Sequence, residues 1–216
     1  LIYTTYLLFK AATISDLSIS MPMLSLTPLF LILTSYVMLN ELPTIHGFFG
    51  IFLIVVGAYT IHLRHCKKGL LGPFKSLIRN KGSFYVVIVA FLWSISANLS
   101  KMGILYSNPI FFVFLVYLFI SIMMVPLISF NLKEKIKEIK SNFNMLVFLG
   151  FSSAFMVAAS AYAMLVAIVP YVISLKRSSV IFTIFFGYFF FNEKDIKNAL
   201  IGAIIMVSGG ILITSF

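Results

Sequence analysis

The sequence is short of charge, and above all of negative charge. Only 10% of its 216 residues are charged, and six acidic residues face 16 lysines and arginines. A water-soluble domain carries about 25% charged residues, so a chain that is 61% apolar is excluded from that class. Cys66 is the sole cysteine, which rules out an intrachain disulfide. His46, His62 and His65 form no metal-like cluster, and no HExxH, GxSxG or phosphate-loop pattern occurs. A membrane protease, lipase or ATPase would lack its working parts. The expectation is a protein that is not an enzyme and holds neither cofactor nor metal.

What the sequence does have is long apolar runs, with a mean hydropathy of +1.09. They fall at about 1–14, 19–39, 45–63, 83–105, 109–130, 145–167, 170–191 and 196–216. Several reach the roughly 20 residues a helix needs to cross a bilayer. A transmembrane β-barrel would instead need short alternating segments. The fold class is therefore all-α, a polytopic membrane helix bundle with about eight helices. Short joints separate the spans, among them Ser15-Asp16, Leu42-Pro43-Thr44, Ser107-Asn108-Pro109 and Lys194-Asp195. Thr44 and Asp195 are placed to cap the helices that follow them. The formal charge of +10 does not indicate a nucleic-acid partner, because the bases gather between spans, where they meet lipid headgroups and set orientation. Segment 131–142 alternates Lys and Glu as a solvated or interfacial helix would.

Two stretches repeat at a fixed step. Tyr36, Asn40, Glu41, Gly50 and Gly57 recur as Tyr188, Asn192, Glu193, Gly202 and Gly209, each 152 residues on (188 less 36). Five spans follow the basic stretch 69–81, and the step projects them onto a first unit that begins before Leu1. The first span looks cut into, with no initiator Met and no signal-peptide pattern, so the expected parent has ten helices in two five-helix repeats. An odd number of helices per unit forces the second copy to enter from the opposite side, which makes the repeats inverted. The expected organisation is 1–63 as the end of a first repeat (helices three to five), 64–81 as a basic linker and 82–216 as the second repeat (helices six to ten). A duplicated transmembrane unit of this kind points to a transporter, because alternating-access sites are built between related halves.

These features resemble the EamA-type transporters of the drug/metabolite transporter superfamily. The matching residues are Pro22 and Pro28, the Glu41 ending of one helix, and the Gly50/Gly57 helix after it. The second copy adds Leu92-Trp93, Lys101 and Ser174-Leu-Lys-Arg177 ahead of Glu193. The resemblance implies ten helices, inverted repeats and transport of small metabolites or amino acids, often outward.

Lys176 and Arg177 are the sharpest candidates for solute binding. They lie about two turns into a span, and an ionisable side chain near the midplane costs at least ~2.5 kcal/mol, so it marks function by default. Arg offers bidentate geometry to a carboxylate or phosphate; the alternative is that both side chains snorkel to an interface. Ser174 joins them through the Ser-Leu-Lys-Arg motif. Asn98 and Lys101 share one helix face, with Trp93 offset from it. As a cavity wall, Asn98 would orient a polar solute and Lys101 would counter its charge, while an interfacial placement of Trp93 and Lys101 is the plainer reading. Asn40, Glu41, Asn192 and Glu193 read as helix-end groups, because a carboxylate there favours the positive N-terminus of the next helix. Gly50, Gly57, Gly202 and Gly209 read as packing positions, seven apart and on one face. Lys10 is the repeat counterpart of Tyr162, and its role stays open between cavity and chain end.

The expected function is a secondary permease for a small polar or anionic metabolite, working by alternating access in the plasma membrane of a prokaryote, with a proton or ion as coupling partner. The rivals are a non-transporting membrane scaffold or accessory subunit, which would respond to no solute, and a lipid-linked-sugar flippase, which would need a laterally open groove. Loop charge puts 64–81 and 133–140 in the cytoplasm, whereas the resemblance implies cytoplasmic termini; the second arrangement is the one adopted. Oligomeric state is not legible.

Overall fold

A computed structural model describes residues 2–14, 21–63, 81–128, 139–191 and 197–215. The described helices are α1 (Ile2–Ile14), α2 (Thr27–Leu39), α3 (Ile45–Leu63), α4 (Lys81–Leu105), α5 (Pro109–Ile128), α6 (Phe143–Val166), α7 (Val169–Arg177), α8 (Ser179–Phe191) and α9 (Lys197–Thr214), with a 3₁₀ segment at Met21–Leu26. Among the described residues Lys81–Leu105, Phe143–Val166 and the stretch Val169–Phe186 are long and apolar enough to cross a membrane, and four shorter helices are apolar. The molecule is an all-α membrane helix bundle. Asn192, Glu193, Asp195, residues 64–80 of the linker and residues 131–138 of the segment 131–142 lie outside the described residues.

Two spans that read as unbroken in the sequence, 19–39 and 170–191, are each divided. The first is a 3₁₀ segment up to Leu26 and an α-helix from Thr27; the second ends α7 at Arg177 and restarts as α8 at Ser179. Around the second break Ser178 N–H donates to the Leu175 carbonyl and Ile181 N–H to the Ser178 carbonyl, both at 3.0 Å. Such tightened mid-helix turns mark hinges and functional sites. No glycine stands at either break. The 152-residue step carries one onto the other: α2 and α8 start at 27 and 179 and end at 39 and 191, and α3 and α9 start at 45 and 197.

The helix ends are set by local chemistry. Asn40 ends α2 in the left-handed region (φ 54°), a conformation asparagine tolerates better than most residues. The N–H groups of Asn40 and Glu41 return to the carbonyls of Tyr36 and Ser35. Thr44 caps α3, its Oγ1 accepting from Gly47 N–H at 3.1 Å.

The chain divides into two compact units, one comprising Leu1–Leu99 with Ala167–Phe216 and the other Ser100–Val166. In the first, α3 and α9 pack antiparallel along a seam of four glycines. A Cβ on Gly50 would lie 2.7 Å from the Gly209 carbonyl oxygen and from Ile213 Cγ1; one on Gly202 would lie 2.7 Å from the Gly57 oxygen and 2.5 Å from Ile61 Cγ1. Gly57 meets Gly202 and Met206 in the same way, and Gly209 meets Gly50 and Ile54. Each contact has its mate after exchange of the two copies (50 with 202, 57 with 209, 54 with 206, 61 with 213). Such reciprocity is the property of a two-fold axis, here local and perpendicular to two antiparallel helices. Ile51, Ile54, Val55, Ala58, Ile61, Ala203, Met206 and Ile213 fill the core around the seam, with Ile184 of α8.

In the second unit α5 packs on α6, and the Phe112 ring rests where Gly103 has no side chain. Both helices expose large apolar groups, including Phe114, Phe119, Phe148, Phe151 and Phe155. On a membrane-spanning helix such groups face lipid at no cost.

Candidate functional site

The two helix breaks of the first unit lie side by side. Arg177, last residue of α7, donates from Nη2 to Thr27 Oγ1 at 3.1 Å, and Thr27 is the first residue of α2. Thr27 Oγ1 itself donates to the Leu24 carbonyl at 2.7 Å, so its hydroxyl proton is spoken for and its lone pairs face the guanidinium. Arg177 is half-buried, and no carboxylate partners it among the described residues. It is the only arginine outside 64–79. A cation held at a helix discontinuity without a counter-charge is costly in lipid and favours an anionic visitor.

Ser174 lies three residues before Arg177 and on the same face of α7. It is fully buried, and its Oγ has no hydrogen-bond partner among the described residues. An unused buried hydroxyl costs about 1–3 kcal/mol, which makes it a second polar group available beside the guanidinium. Lys176 is exposed and points elsewhere around the helix, as the roughly 100° step between neighbours requires. The structure thus brings Ser174 and Arg177 together and leaves Lys176 to one side.

Asn98 occupies a different place from the open cavity wall that its spacing with Lys101 had suggested. It is fully buried, accepts from Ser35 Oγ at 2.6 Å through Oδ1, and donates from Nδ2 to Thr34 Oγ1 at 2.9 Å. Its amide clamps α4 to α2. The edge-to-face pair Phe30–Phe91, with ring centroids 5.7 Å apart, lies between the same two helices. Trp93 likewise spends its indole N–H on Thr4 Oγ1 at 3.1 Å, tying α4 to α1. Lys101 is only 5% exposed, so it does not snorkel freely. Lys10 stands over the Tyr85 ring, 5.5 Å from its centroid, a cation–π contact.

Glu41 acts on the N-terminus of α7. Its Oε2 accepts from the N–H of Val169, first residue of α7, at 3.1 Å. Beside it the Tyr171 hydroxyl accepts from Thr44 N–H at 2.9 Å and shares a hydrogen bond with Thr44 Oγ1 at 3.1 Å. Tyr171 escaped sequence reasoning; the available signal was Gly47, whose missing side chain leaves the space that the tyrosine ring fills. Among the described residues no group of three His, Cys, Asp or Glu side chains comes together to hold a metal ion.

A family model described as the EamA-like transporter family matches residues 80–215, well over half of the chain. A relative from Methanothermobacter thermautotrophicus, named an uncharacterized transporter, is 35% identical over 81 residues. Those residues are 36% of this chain and 22% of the relative, so the match spans less than a quarter of that protein's length.

Proposed function

The chain belongs to the EamA-like transporter family, and from that premise we propose a secondary transporter that carries a small anionic solute past Arg177 at the paired helix breaks. The observation that carries this reading is the bond from Arg177 to Thr27, which joins two discontinuities at the same step in two copies of one unit. Discontinuous helices meeting at the interface of inverted copies are where secondary transporters bind their cargo. Arg177 presents a planar fork that matches a carboxylate or phosphate, and Ser174 Oγ supplies a neutral donor or acceptor next to it.

The division into 1–63, 64–81 and 82–216 as repeat, linker and repeat supports alternating access: the halves rock while the four-glycine seam holds them together. Transport is driven by a solute or proton gradient, since the sequence has no nucleotide-binding motif. The proposed site of action is the plasma membrane of a prokaryote, a reading supported only as far as the relative's archaeal source goes.

Counterflow into proteoliposomes tests the charge preference. Vesicles preloaded with a mixture of unlabelled small carboxylates and phosphate esters are expected to accumulate a labelled anion from that mixture. Cationic and neutral solutes of similar size are expected to exchange at the rate of protein-free vesicles. Exchange of cations alone would contradict the assignment.

A further inference from the structure

We propose that Tyr171 and Thr44 form a one-sided gate, closing the route to Arg177 from the end of the bundle that carries the 40–44 turn; the proposal rests on the transport reading above. Tyr171 precedes Arg177 by six residues, which is about 9 Å along the axis of α7. The gate therefore stands beside the candidate site, between it and that end of the helix.

Three contacts close it. The Tyr171 hydroxyl takes the Thr44 N–H and pairs with the Thr44 hydroxyl. The ring lies over Gly47, where any side chain would overlap it. The Glu41 carboxylate holds the first N–H of α7. All three join the turn after α2 or the first turn of α3 to the start of α7, hence the first copy of the repeated unit to the second.

Both Tyr171 hydrogen bonds lie at an exposed rim. Water competes for such bonds, so they are made and broken at little cost. The glycine seam is buried and close-packed, and it is suited to stay closed. The Tyr171 ring itself packs against the core around that seam, so the movable part of the latch is its hydroxyl contacts.

The repeat makes the latch one-sided. In an inverted pair, a closure on one side has a counterpart on the other, 152 residues away in each partner. Glu41 has its counterpart in Glu193, but Thr44 corresponds to Ile196 and Tyr171 to Ile19. The sequence repeats the carboxylate and does not repeat the hydroxyl pair. Two equal closures would favour neither access state; a hydroxyl pair not repeated at the corresponding positions weights the equilibrium toward the state closed by it.

The test uses sided membrane vesicles and the whole chain carrying Cys66→Ser and Ser174→Cys. The new thiol reports water access to the site through its rate of modification by an impermeant anionic methanethiosulfonate. Labelling of Leu42→Cys, in the turn itself, identifies the gated face. Adding Tyr171→Phe keeps the ring over Gly47 and removes only the hydroxyl. It is expected to speed labelling of Ser174→Cys from the gated face by roughly 3–10-fold, the worth of one or two modest hydrogen bonds, without speeding it from the other face. Thr44→Val in addition is expected to add little, because the two hydroxyls act on each other. Equal rates with and without the Tyr171 hydroxyl, or equal acceleration from both faces, would overturn the gate while leaving the transport site standing. No labelling from either face in any variant would overturn the site and the gate together.

Discussion

Gly57→Val is expected to prevent the first unit from assembling, and Gly57→Ala to leave it folded but much less stable. A Cβ at Gly57 would lie 2.5 Å from the carbonyl oxygen of Gly202 and 2.5 Å from Met206 Cγ. The methionine side chain can turn aside, but the carbonyl is part of the α9 backbone and moves only if the helices part. Helices in lipid gain nothing from the hydrophobic effect between them, so their association depends on close van der Waals approach. Overpacking of a well-packed core costs about 1–3 kcal/mol, sometimes more, and the backbone collision puts Gly57→Ala at the upper end of that range. Reciprocity sharpens the expectation: Gly202→Ala meets the Gly57 oxygen and Ile61 and should cost about the same. Gly150 is the control, since a Cβ there meets nothing within 4 Å. Gly150→Ala should be neutral or stabilise by up to ~1 kcal/mol, because alanine is the better helix former. Unfolding midpoints in detergent measure all three, and a Gly57→Ala midpoint equal to that of the parent would contradict the seam.

Arg177→Met is expected to separate stability from function. The charge sits half-buried at a helix break with Thr27 as its polar partner. A charge without an ionic partner is itself costly in a membrane span, so an apolar group of similar length relieves that cost. Thr27 keeps its own bond to the Leu24 carbonyl, so little is orphaned. The variant should therefore melt no lower than the parent. Anion counterflow should fall at least ~100-fold, since a truncated charge contact commonly costs 2–5 kcal/mol of binding. Arg177→Lys should recover part of it, keeping the charge without the planar fork. The opposing signs are the informative result. A variant that loses both stability and transport would make Arg177 a structural residue, and one that loses neither would remove it from the site.

Much of the fold was legible in the sequence because lipid imposes simple rules. Every span must be long, apolar and helical to satisfy its backbone, so the apolar runs located the helices directly. The 152-residue step placed Gly50 with Gly202 and Gly57 with Gly209 as equivalent positions. It did not say that each would touch the other's counterpart; that needed the antiparallel packing of α3 on α9. The break at Ser178 was invisible because neither glycine nor proline stands there, whereas Pro28, in the first turn of α2, was the available signal for the break at Leu26.

The site was legible in part. Arg177 stood out because a lone arginine in an apolar run has few explanations. Ser174 entered only by motif, and its unpartnered hydroxyl is a property of packing. Asn98 shows the opposite failure. Its spacing from Lys101 was read correctly, but Thr34 and Ser35, more than sixty residues away, absorb its amide. Glu41 and Tyr171 are likewise defined by partners 128 and 127 residues distant, beyond the reach of any local rule.

The claim beneath all of this is that α3 and α9 are copies of one helix crossing the bilayer in opposite directions. Leu63 and Ser215 stand 152 residues apart at the C-terminal ends of those helices. Single cysteines there, in a Cys66→Ser background, can be labelled with an impermeant maleimide in vesicles of known sidedness. Leu63→Cys and Ser215→Cys are expected to react from opposite faces; reaction of both from the same face would contradict the account.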